Sequence, residues 1–187
     1  TLPFLGFLII AMSLKKENPR RSKFNTIGLS VSSTYLILTL IFKWISFQEF
    51  KQGLENQKIE YVEMDTKPSP LNAILWSSLI ETDKGYRTAY YSLFDKQEIT
   101  YSKEFLKNHH LLEPYLEKKV IKQLIDISAG WYRIEEKNGK LLFWDLRFGQ
   151  MGMDVNNASF LWYYELNIDK TGNVKAVKRQ PEIKNFK

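Results

Sequence analysis

Phe24 to Phe47 reads FNTIGLSVSSTYLILTLIFKWISF, and its first 19 residues, up to Phe42, carry no charge. A helix rises ~1.5 Å per residue, so this run alone nearly covers a hydrocarbon core of ~30 Å. Lys43 is placed to snorkel into water, and Trp44 falls where an interfacial aromatic belongs. No proline interrupts the run. A buried helix of a soluble protein is the alternative, but such helices seldom stay uncharged on every face for this long. The stretch reads as a transmembrane helix, with membrane segments before it and a hung domain after it.

Upstream, Thr1 to Leu14 is apolar throughout (TLPFLGFLIIAMSL). Fourteen residues span only ~21 Å as a helix, short of a crossing. Positive charges follow this run instead of preceding it, unlike a signal peptide. The expectation is a truncated first helix, and a chain that is the C-terminal part of a longer multi-pass protein. Lys15 to Lys23 separates the two apolar segments with five basic residues and one acidic. Short loops this basic stay in the cytoplasm, so the hairpin tip is cytoplasmic and the C-terminal domain extracytoplasmic. Lys43, Lys51 and Lys58 on the other side are spread out and interleaved with Glu49 and Glu55. Small residues recur at helical spacing in the second helix: Gly28 with Ser32, and Thr26, Ser30 and Thr34. They suit close approach of a neighbouring membrane helix. No ionisable group lies in mid-span, so a polar substrate path is not indicated.

Charge divides the chain. Of 27 Lys/Arg and 21 Asp/Glu, residues 1–58 hold eight and three, leaving 19 and 18 beyond. The basic character belongs to the membrane part, and no basic-aromatic motif argues for nucleic acid. The chain has no cysteine. Disulfide scaffolds, thiol catalysis and zinc-thiolate sites are therefore excluded, and the redox compartment stays open.

The expected division is transmembrane helices over 1–47, a linker over 48–70 and an extramembrane α+β domain over 71–187. Gly53 interrupts the polar end of the helix, and Lys67-Pro68-Ser69-Pro70 reads as a stiff, extended entry. Ala73 to Glu81 reads as a buried strand or short helix. Tyr86 to Phe94 alternates like a strand, with turns at Asp83-Lys84-Gly85 and Asp95-Lys96, and Ile99 to Tyr101 extends. Residues 111–129 switch to helical period, with the stripe Leu112, Leu116, Val120, Leu124 and Ile127. Pro114 fits the first turn and Gly130 the position past the end. Trp131 to Glu136 and Lys140 to Phe148 form a hairpin about Asn138-Gly139. Ala158 to Ile168 and Gly172 to Arg179 form a last one. The predicted fold is a membrane helical hairpin followed by a mostly antiparallel sheet with one helix on one face.

Candidate chemistry is sparse. Adjacent histidines, His109 and His110, diverge on either a helix or a strand, so they do not make a metal site. No metal ligand set is assigned. Asp145 and Arg147 in the run FWDLRFG share one strand face with Leu141 and Phe143. An Arg fork there can hold an anionic ligand, but a structural ion pair is the plainer reading. Gly149 to Gly152, with Asp154, Asn156 and Asn157 behind it, reads as a ligand-binding loop or a tolerant connection. Tyr90-Tyr91 and Trp162-Tyr163-Tyr164 read mainly as core. No nucleophile elbow, phosphate loop or HExxH is present, and the catalytic residues are unknown.

The order of the apolar helix, PSPLNAILW (68–76), GYRTAYYSLFD (85–95), a helix, AGWYRIEEKNGKLLFWDLRFG (129–149) and FLWYYEL (160–166) resembles the C-terminal half of a known family. That family is the inner-membrane metal-dependent hydrolases, the YdjM-like, LexA-regulated proteins. The most specific pieces are Pro70-x-Asn72 with Trp76, the Tyr90-Tyr91 strand and Asp145-x-Arg147-Phe148-Gly149. The resemblance implies a bacterial inner-membrane protein. It also implies a divalent metal held by His and Asp on upstream membrane helices, a motif this chain does not contain. Asp145, Arg147, Asn72, Trp76 and Tyr91 then stand as candidate substrate-binding residues. The expected partners are the lipid bilayer and the upstream transmembrane helices. The expected function is that of a soluble domain supporting or gating a membrane-side hydrolytic site; the alternative is a non-catalytic, membrane-anchored binding or sensing domain.

Overall fold

The computed structural model describes residues 2–15, 18–69, 72–151, 155, 159–169 and 171–181. Thr1, Pro70, Gly152, Asp154, Asn156, Asn157 and Ala158, named above, lie outside this set. Helix α1 (Leu2–Ser13) and helix α2 (Pro19–Asn56) pack together as a hairpin. Pro19 sits in the first turn of α2, where its missing N–H is no loss. The Asn18 side chain caps the helix by accepting from Arg20 N at 2.9 Å. Small residues mark the close approach of the pair, since Ala11 and Gly28 are buried. The remaining apolar surface is open: Ile27, Leu29, Leu36, Ile37, Leu40 and Ile41 are all exposed. The Thr39 hydroxyl bonds back to Leu36 O at 2.8 Å, so it needs no outside partner.

The character of α2 changes after Trp44. Ser46, Phe50 and Leu54 recur every four residues and are fully buried, because this face of the helix enters a core. Gly53 does not end the helix. A Cβ there would stand 2.6 Å from Tyr101 Oη, so glycine lets the Tyr101 hydroxyl reach Phe50 O at 2.7 Å. The chain leaves α2 through Lys58 in the left-handed region (φ 53°).

Two four-stranded antiparallel sheets follow. The first has the order β1 (Glu63–Pro68), β2 (Leu75–Glu81), β3 (Gly85–Ser92), β4 (Phe105–Leu106). The second has the order β5 (Tyr132–Lys137), β6 (Lys140–Met151), β7 (Ser159–Ile168), β8 (Val174–Arg179). Each sheet carries its own helix. Phe50 and Leu54 of α2 pack with Trp76, Ile80, Ala89 and Tyr91 of the first sheet. The 3₁₀ segment His109–Tyr115 and helix α3 (Lys119–Ile127) cover the second sheet, where Leu112, Ile121 and Leu124 meet Tyr132, Ile134, Phe143 and Leu166. A third, smaller cluster lies between the sheets: Leu79 and Tyr86 from the first, Leu146 and Phe160 from the second.

An α+β chain with N-terminal helices and antiparallel strands is therefore present, but not the single sheet with one helix. Two sheets form because both faces of β2 and β3 are buried. Trp76, Ile80, Ala89 and Tyr91 meet α2, while Leu79 and Tyr86 meet the second sheet. The segment 48–70 is not a linker, since it carries the last turns of α2 and strand β1. That strand, EMDTKP, is a polar edge with Thr66 as its one fully buried position, so it shows no alternation to read. The helix expected over 111–129 is broken. Lys118 is extended (φ −72°, ψ 129°), and α3 restarts behind it. The break turns Leu112, Ile121 and Leu124 inward and leaves Ile127 exposed, against the continuous stripe. Ile99 to Tyr101 contributes only a bridge, Ala89 to Tyr101, and the fourth strand falls at Phe105–Leu106. The hairpin at Asn138-Gly139 is as read, with both residues at positive φ (52° and 71°) and Lys137 opposite Lys140.

Candidate functional site

Asp145 and Arg147 sit where β6 departs from its partner. Asp145 pairs with Trp162 of β7 and Gln150 with Phe160, so Leu146 to Gly149 face Leu161 alone. This bulge is turned by Gly149 at φ 75°, a conformation costly for any side chain. It folds Arg147 back on Asp145. Arg147 Nε and Nη2 donate to Oδ1 and Oδ2 at 3.0 and 2.7 Å, and Arg147 N donates to Oδ1 at 3.2 Å. The Asp145 carboxylate is buried, while the guanidinium is 30% exposed. The hydrogen bond to Asp145 holds the guanidinium pKa above its usual value. The Arg147 guanidinium also lies over the Phe148 ring, at 5.3 Å. With its fork on Asp145 and one face on Phe148, Arg147 is held as a structural partner.

Beside it lies a cleft between the sheets. Lys67 of β1 donates to Arg147 O at 3.0 Å and pairs with Asp65. Tyr90 OH donates to Gln150 Oε1 at 3.3 Å. Thr88 Oγ1 and Gln150 Nε2 are buried at this cleft without a protein partner. Its volume is about 20 Å³. That is room for about one bridging water, against ~300–1,000 Å³ for a typical small-molecule site. A roomier hollow of about 200 Å³ lies between the end of α2 and residues 96–99, lined by Glu49, Gln52, Asn56, Lys96 and Glu98.

A group of titratable side chains centres on Lys107. Its backbone joins the two sheets, with N donating to Lys84 O at 3.0 Å and O accepting from Ile134 N at 2.9 Å. Its ammonium pairs with Glu81 at 2.7 Å and lies 5.4 and 5.3 Å from the Tyr86 and Tyr132 ring centres. Burial works against that charge, but hydrogen bonds to Glu81 and Tyr86 outweigh it and raise the Lys107 pKa. Burial pushes the Tyr86 phenol up to about 12. Tyr86 OH donates to Gly130 O at 3.1 Å, and Tyr132 OH bonds His109 Nδ1. Sequence reading missed this group because Glu81, Lys107 and Tyr132 stand more than 20 residues apart and no local pattern links them.

The other candidates lie elsewhere. Trp76 and Tyr91 are cross-strand neighbours in the core beneath α2, with Trp76 Nε1 bonded to Ala73 O at 3.0 Å and the Tyr91 ring edge-on to Phe50 at 6.0 Å. Asn72 caps the entry to β2, accepting from Ile74 N and Leu75 N at 2.8 and 3.2 Å. Of the five candidate residues, the fold brings Trp76 to Tyr91 and Asp145 to Arg147, and it forms no common site. Among the described residues no three His, Cys, Asp or Glu converge as a metal site would need.

No family model, curated protein or solved structure matches the chain.

Proposed function

We propose that this chain is a membrane-anchored, non-catalytic binding or sensing module, with its domain carried rigidly on the last membrane helix. One observation carries the reading: α2 is a single helix of 38 residues that serves both parts. Its apolar window has only 6% of its residues buried, which separates it from a soluble core helix of the same composition. Its last three turns are core of the first sheet. A helix shared in this way transmits tilt or rotation in the bilayer to the domain without a flexible joint. The basic loop before α2 supports a topology with the domain outside the cytoplasm, and the family resemblance adds a bacterial inner membrane. The bilayer is one partner; upstream membrane helices, laid on the exposed face of α2, are the other.

Support for a non-catalytic role is chemical. The charged groups between the sheets are paired with one another, as Arg147 with Asp145, Lys67 with Asp65 and Lys107 with Glu81. The test has two parts. The chain, expressed in bacteria with a reporter after Lys187, should stay in the membrane pellet through alkaline carbonate, and the reporter should be active only outside the cytoplasm. Release into the supernatant overturns the anchor. Thermal shift of the detergent-solubilised chain against anionic small molecules and envelope lipids should find a stabilising ligand.

A second reading keeps the same geometry. The domain supports or gates a metal-dependent hydrolytic site borne by helices that precede this chain in a longer protein. The open apolar face of α2 favours it. A longer protein whose preceding membrane helices lack a His/Asp cluster removes it.

A further inference from the structure

We infer that the domain makes a second contact with the bilayer, through Ile74 and Phe94 at one end of the first sheet. The inference rests on the membrane reading of α2. The direction of the helix along the sheet decides which end this is. Val62, just past α2, donates to Glu81 O at 2.7 Å, so the helix finishes at the Glu81–Tyr86 end. Phe50 meets Tyr91, and Phe42, two turns earlier, still packs against the same core. The opposite end, where Leu75 pairs with Ser92, therefore faces back along α2 toward Phe42, Lys43 and Trp44, where the apolar span stops.

Two apolar side chains project from that end. Phe94 is 77% exposed at the tip of the turn after β3, and Ile74 is exposed just before β2. Their segments are fastened together by Leu93 N to Ile74 O at 3.1 Å. The turn is well formed: Asp95 N donates to Ser92 O at 2.8 Å, and the Asp95 carboxylate accepts from Ser92 N at 2.9 Å. Leu93 points into the core and Phe94 away from it. Turn tips favour small polar residues, so an outward phenylalanine here calls for a partner. Trp44, 64% exposed, follows Phe42 by two residues on α2, where the apolar span stops. Trp44 next to Lys43, and Phe94 two residues before Lys96, have the composition of an interfacial belt. The lipid headgroup boundary is continuous with the surface that α2 already presents, and it is the occupant this patch fits. Two attachments fix both the tilt and the rotation of the domain over the membrane.

The absence of cysteine permits single-site labelling. The full chain, reconstituted in vesicles of mixed neutral and anionic phospholipid, carries an environment-sensitive fluorophore at Phe94→Cys, Ile74→Cys, Ile37→Cys or Val62→Cys. Lipid-borne quenchers then report contact. Phe94 and Ile74 labels should be quenched and blue-shifted, Ile37 more strongly, and Val62, at the far end, not at all. Quenching at Ile37 with Phe94 and Ile74 no different from Val62 overturns the second contact and leaves the anchor intact. No quenching at Ile37 overturns the anchor itself. Equal quenching at Val62 overturns the proposed orientation.

Discussion

Asp145 shows how one residue serves a fold. Its carboxylate collects three donors from Arg147 across a bulge, and it is buried while Arg147 is partly in water. Loss of the charge is milder than breaking a fully buried pair, because the partner can rehydrate. Asp145→Asn should destabilise the protein by about 1–3 kcal/mol, read as a lower urea midpoint with unchanged slope. An unchanged midpoint accompanied by lost ligand binding would reassign the pair to a site. Ala129 is the opposite case. It ends α3 in the left-handed region at φ 50°, with Gly130 behind it also at positive φ. Left-handed backbone costs a non-glycine residue ~1 kcal/mol. Ala129→Gly should raise stability by about 0.5–1 kcal/mol, seen as a higher melting temperature.

Elements show which parts of the chain speak locally. Asn138-Gly139 and the alternation of β5 and β6 specify their hairpin without outside help. The same alternation placed Asp145 and Arg147 on one face, and that much of the candidate site was legible. The bulge that closes the pair was not, since it depends on β7 stepping past β6. Trp76 and Tyr91 became candidates through the family resemblance; in the fold both are buried in the cluster that α2 covers. β4 is only two residues long and is joined at Gly85, where a Cβ would stand 2.0 Å from Phe105 O. Backbone oxygen cannot move aside as a side chain can. Gly85→Ala should therefore cost about 3 kcal/mol and detach β4, with faster amide exchange at Tyr86 and Phe105.

Over the whole molecule, the two sheets are tied at Lys107 and its tyrosines, and this sets a pH dependence. The Tyr86 phenol, near 10 when unfolded, is pushed up to about 12 by burial. Below pH 10 it is neutral in both states and its stabilisation is complete. Between about 10 and 12 the unfolded chain ionises first, so stability falls as pH rises, by up to about 2–3 kcal/mol. Tyr101 and Lys107, both with raised pKa values, act in the same direction. Tyr86→Phe removes one part of this. The stability gap between wild type and variant should narrow as urea melts move from pH 9 to 11.5. A gap that stays constant would show that folding does not raise the Tyr86 pKa.

By itself the sequence determined the long apolar helix, the antiparallel hairpins and the placement of Asp145 and Arg147 on one strand face. Each depends on neighbours a few residues away, through helical or strand period and turn geometry. Only the tertiary structure decided that α2 belongs to the core of a sheet, that there are two sheets, and that Lys107 joins them. Those outcomes bring together groups separated by tens of residues, such as Phe50 with Tyr91 and Glu81 with Lys107. Nothing in the local pattern of either partner encodes the other; burial of both faces of β2 and β3 selects them.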